Sequence, residues 1–157
     1  YPTEVPPPTL SAGVAIVHAL EHLQSALNWT RAAEKAAKNN DRDSLAVAYY
    51  PRSGEAITVA LKWSECDVWS AWERAFRKGL AGGLPYELLQ LAREYESLSI
   101  QEQRILIPAE TERVIQRKEG RQYAPPLPAL ETVEHLRSLA RLMIIARMLA
   151  VYPEVNS

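Results

Sequence analysis

Four basic side chains recur along one segment of this 157-residue chain: Arg31, Lys35, Lys38 and Arg42, spaced four, three and four. At helical periodicity they form one cationic stripe, concentrated toward the segment's C-terminal end, where the helix dipole favours positive charge. Such a stripe is either a solvated helix face or a place that holds an anion, with Arg giving a forked contact and Lys a point charge. The remaining polar residues are dispersed. Asp41, Asp43, Glu65 and Asp67 do not converge at metal-site spacing, His22 and His135 stand alone, and the single cysteine, Cys66, can form no internal disulfide. Trp63, Trp69 and Trp72 are candidates for stacking bases, although aromatic residues on adjacent helical turns more often fill a core or a subunit contact.

Elements must position these groups, and the composition supplies enough apolar material for them. At 47% hydrophobic residues the chain can bury a real core in one compact domain or two small ones. Lys+Arg total 18 against 19 Asp+Glu, a balance that argues against coating nucleic acid with the whole surface and leaves room for a local basic stripe. No apolar run approaches the ~20 residues that span a bilayer, and the opening YPTEVPPPTL has neither the basic start nor the apolar stretch of a signal peptide. A cytoplasmic location is the expectation.

Residues 1–9, with prolines at 2, 6, 7 and 8, read as an extended linker. Residues 10–18 run apolar as far as His18, the pattern of a strand covered on both faces and central in a sheet. Residues 21–40 then read as a helix, with one buried face made of Leu20, Leu23, Leu27, Ala26, Ala33 and Ala37. Two β-type runs, 44–50 and 55–63, flank Pro51-Arg52-Ser53-Gly54 and predict a hairpin. After Trp63 the chain turns helical. Ser64 with Asp67 and Ser99 with Glu102 read as capping boxes, Pro85 opens a helix, Pro108 should kink or split another, and GRQYAPPLP at 120–128 is a break. The last helix, 129–151, is apolar over more than half its circumference and should be the central one of a small bundle.

Ser11, Gly13, Val14 and Ala15 fit the S-x-G-V-A strand of GGDEF-type nucleotidyl cyclases, and Ala37, Lys38 and Arg42 fit the A-K-x-x-x-R helix end that follows it in those proteins. With SLAVAYYPRSGE and a helical region after them, in that order, the chain resembles the large subunit of type III CRISPR effector complexes, the polymerase/cyclase subunit of the Cmr kind. The resemblance covers that family's last palm elements and its C-terminal helical domain. It implies an α+β fold: residues 10–63 as the C-terminal part of a ferredoxin-like palm (β-α-β-β), and 64–157 as an α-helical bundle.

The resemblance further implies a role in RNA-guided antiviral defence, where ATP is converted to cyclic oligoadenylate. Lys38, Arg42 and Ser11 are then the expected nucleotide contacts, the two cations on the triphosphate and the hydroxyl on a phosphate or ribose. The complete site uses ATP with a divalent metal (Mg or Mn), and this chain alone binds neither. The 157 residues contain no Gly-Gly-Asp-Asp metal turn, so activity belongs to an assembly in which another segment supplies it. The expected partners are the remainder of the large subunit, the other subunits of the ribonucleoprotein, and, indirectly, crRNA and target RNA. Trp69, Trp72, Arg74 and Arg77 form the expected docking surface, a mixture of aromatic and arginine residues enriched at interface hot spots. The rival expectation is a stand-alone helical adaptor without nucleotide chemistry.

Overall fold

The structure is a computed structural model that describes residues 7–151; most of the expected linker, residues 1–6, lies outside the described residues. The chain is α+β, with a three-stranded mixed sheet and five α-helices among the described residues. It divides into two compact units, Tyr1–Cys66 and Asp67–Ser157. The division falls three residues beyond the expected 63/64 boundary, because a 3-10 turn at Trp63–Glu65 stays with the strands.

In the first unit, β1 (Ala12–Ile16), α1 (Leu23–Asn39), β2 (Ser44–Tyr49) and β3 (Ile57–Lys62) follow one another. β1 and β2 are parallel, Ala12 opposite Leu45 and Ile16 opposite Tyr49, with α1 as the crossover that a parallel pair requires. β2 and β3 form an antiparallel hairpin, Ser44 opposite Lys62. The sheet order is β1-β2-β3. The central place expected for β1 therefore belongs to β2, because the hairpin adds β3 to the far side of β2 and leaves β1 at an edge.

Alternation sorts the side chains of the sheet onto two faces. Gly13, Ala15, Ala46 and Ala48 face α1, where Ala33, Ala37, Ala46 and Ala48 are buried together. The approach is close enough that a Cβ on Gly13 would lie 2.1 Å from the Glu34 nitrogen, so only glycine fits there. The larger Val14, Ile16, Leu45, Val47 and Val59 fall on the opposite face. The buried stripe expected on α1 is half right. Ala33 and Ala37 are buried, but Leu20, Leu23 and Leu27 are 82%, 75% and 44% exposed.

The second unit is built from α2 (Asp67–Lys78), α3 (Leu84–Glu94), α4 (Ile100–Gln116) and α5 (Val133–Val151). α5 packs mainly on α2 and α3 and touches α4, burying Leu136, Met143 and Ile145 completely or nearly so. The Ser99 capping box forms: Glu102 N donates to Ser99 Oγ at 3.3 Å and Ser99 N to Glu102 Oε2 at 2.8 Å. The Ser64–Asp67 box gives way to a different contact, Lys62 N donating to Glu65 Oε2 at 3.2 Å. Pro108 lies inside an unbroken α4. It is exposed, so water can take the carbonyl that its missing N–H leaves unpaired. No helix among the described residues is long and apolar enough to cross a membrane.

Candidate functional site

Among the described residues, the connection between α1 and β2 has the most unusual backbone. Asp41, Arg42 and Asp43 lie in succession at φ 58°, 55° and 45°, the left-handed region, which costs an L-residue roughly 1–2 kcal/mol. Aspartate tolerates it best and arginine has no local device to offset it.

Hydrogen bonds from the strands hold the turn. The Ser44 hydroxyl, buried completely, lies 2.6 Å from the Arg42 carbonyl oxygen and accepts from Asn40 Nδ2 at 3.2 Å. Lys62, the last residue of β3, donates from Nζ to the carbonyls of Asp41 at 2.7 Å and Arg42 at 2.8 Å, with the Asp41 carboxylate 3.6 Å away. Trp63 N donates to the Asp43 carbonyl at 3.2 Å. Lys62 was not singled out by sequence reasoning, since a lysine ending an apolar strand carries no signal of a contact 20 residues back.

The three expected nucleotide contacts share this end of the first unit. Ser11 immediately precedes β1, whose first residue pairs with Leu45, so Ser11 sits at the level of Ser44. Lys38 is in the last turn of α1 and Arg42 in the turn that follows. Arg42 is exposed and makes no ion pair among the described residues. Lys38 is engaged: its Nζ is 2.6 Å from Glu34 Oε1, with the two side chains 56% and 44% exposed. That hydrogen bond and the ammonium charge hold the Glu34 carboxyl below its ordinary value. Exposed ion pairs of this kind are weak, so a phosphate can take over the ammonium. The arrangement suits polyanion binding and contains no acid–base pair. No group of three or more His, Cys, Asp or Glu side chains among the described residues could hold a metal ion.

The expected docking surface on α2 comes apart. Trp69 and Trp72 are 6% and 1% exposed; the three-residue spacing that puts them on one face of the helix turns that face inward. Arg77 pairs with Glu73 and reaches the Leu149 carbonyl at 3.4 Å, tying α2 to α5. Arg74 and Arg77 are both exposed, so the arginines stay on the surface while the tryptophans are buried. One aromatic pair escaped sequence reasoning: Trp29 stacks on Tyr50, centroids 4.2 Å apart and planes 12° from parallel. Comparison with protein-family models, curated proteins and solved structures finds no match to this chain.

Proposed function

We propose that the chain is a C-terminal segment of the large subunit of a type III CRISPR effector complex, and that its first unit is the later half of a nucleotidyl-cyclase palm. The observation that carries this reading is the gathering of Ser11, Lys38 and Arg42 at one end of the β-α-β-β unit. Arg42 supplies a forked, exposed cation and Lys38 a point charge a turn away, the pairing suited to a triphosphate. Ser11 orients a phosphate or ribose oxygen. Divalent metal, which offsets charge as a phosphoryl group transfers, belongs to carboxylates of another segment. The second unit serves as the docking part toward neighbouring subunits, through Arg74 and other exposed groups rather than the tryptophans.

The test uses the complete effector complex. Lys38→Ala and Arg42→Ala should each weaken ATP binding about tenfold or more, equivalent to ~1.4 kcal/mol, and lower oligoadenylate synthesis, while crRNA loading and melting temperature stay as they are. Unchanged ATP affinity in both variants leaves Lys38 as the Glu34 partner and nothing more.

A further inference from the structure

β1 closes one side of the sheet, and no strand lies beyond it among the described residues. The Ile16 carbonyl accepts from Tyr50 N at 2.9 Å, so Ile16, and by alternation Val14 and Ala12, turn their peptide groups toward β2. Gly13 and Ala15 turn theirs outward. Natural edges are usually blunted by charge, proline or a bulge, and the AGVAI of β1 has none of these.

α1 is asymmetric about this edge. With Ala33 and Ala37 against the sheet, the 3.6-residue repeat turns Trp29 and Ala36 toward β2 and β3, where Trp29 stacks on Tyr50 and Ala36 packs beside Tyr50 and Ala60. The same repeat turns Leu23 and Leu27 to the opposite flank, above the outer edge of β1, where they are 75% and 44% exposed. On the other face of the sheet Val14 is 43% exposed. α1 runs back along β1, so the leucines overhang the Ile16 end and the basic half of the helix overhangs the Ala12 end. That half together with the turn after it, residues 31–42, holds four basic side chains against two acidic ones.

We infer that the outer edge of β1 is a docking edge for an extended strand from another polypeptide segment. One set of the strand's alternating side chains is apolar and sits beneath Leu23 and Leu27, the other set lies on the face of Val14, and its end nearest Ala12 carries carboxylates facing Arg31 and Lys38. The outward peptide groups of Gly13 and Ala15 call for a strand rather than a helix. Charge selects against a second copy, because a two-fold antiparallel β1 pair would set the leucines of one chain against the cations of the other. The inference does not depend on nucleotide binding, and the two can fail separately.

Synthetic peptides alternating valine and threonine test it, with aspartates at either end, with lysines in their place, or with a central proline. Binding is followed on the full chain by amide hydrogen exchange. An aspartate-ended peptide should bind and slow exchange at Gly13 and Ala15 about tenfold or more, the proline version should not bind, and Leu23→Lys should weaken binding about tenfold. Leu23 is exposed enough for that change to leave the fold intact, and Leu106→Lys on α4 serves as the control without effect. The inference is overturned if no peptide slows those two amides or if lysine-ended peptides bind equally well. Protection that rises with chain concentration would assign the edge to a second copy, and protection already present in the dilute chain would assign it to residues 1–6; both also overturn it.

Discussion

The Lys62 ammonium donates to the Arg42 carbonyl at 2.8 Å, so the end of β3 holds the backbone of the residue proposed to meet a phosphate. The same ammonium bonds the Asp41 carbonyl, and two charge-assisted hydrogen bonds thus secure a left-handed turn. Lys62→Met should lower stability by about 2 kcal/mol, read as a lower urea midpoint with an unchanged slope. It should also loosen Arg42, so that anion binding weakens even though Lys62 faces the turn and not the solvent side. A midpoint equal to that of the parent chain would show that the turn does not need the ammonium.

Arg42→Gly separates stability from function. At φ 55° glycine relieves a strain of about 1 kcal/mol, so the variant should melt higher than the parent. It should bind ATP more weakly in the complete complex. A variant that melts higher and binds ATP as before would assign Arg42 no ligand role.

Gly13→Ala should be among the most damaging single changes, because its Cβ meets the backbone of Ala33 and Glu34. Pushing α1 off β1 should cost about 3 kcal/mol, seen as loss of the first unit's melting transition with the helical second unit retained. Gly83→Ala is the control, since nothing lies within 4 Å of the added methyl.

Acid should weaken the start of α4. Hydrogen bonds from the Ser99 hydroxyl and then from its backbone N–H hold the Glu102 carboxyl below its usual 4.5. The folded state therefore binds this proton less readily than the unfolded one, and the stabilisation is present above the ordinary value and lost as pH falls through the lowered one. The stability gap between the parent and Ser99→Ala should be widest near neutral pH and narrow in acid. A gap independent of pH would mean that Glu102 plays no part in the cap.

The order β1-α1-β2-β3 followed by helices was legible because each segment carries its own periodicity, and the S-x-x-E box at Ser99 and the proline at 85 mark helix starts by local chemistry. Sheet order was not, since a run such as LSAGVAIVH records that both faces avoid water and says nothing about which edge is paired. The face of α1 was misjudged because leucine weighs more than alanine in any hydrophobic pattern, while close helix–sheet packing selects the smaller residue. Ser11, Lys38 and Arg42 were legible as separate groups, and their common end of the unit follows from the parallel register. The three left-handed residues and their lock on Lys62 were hidden, because a left-handed backbone at arginine has no signature in sequence.

Between α1 and the sheet, Ala33, Ala37, Ala46 and Ala48 supply the buried contact, a methyl group apiece. At roughly 25 cal/mol per Å² of apolar surface, so small an area leaves the first unit little margin against unfolding. A strand arriving at β1 would raise the folded fraction by mass action, and copies left without one would spend more time open to proteases. Turnover in the cell would then match the abundance of this chain to that of its partner, with no dedicated regulator.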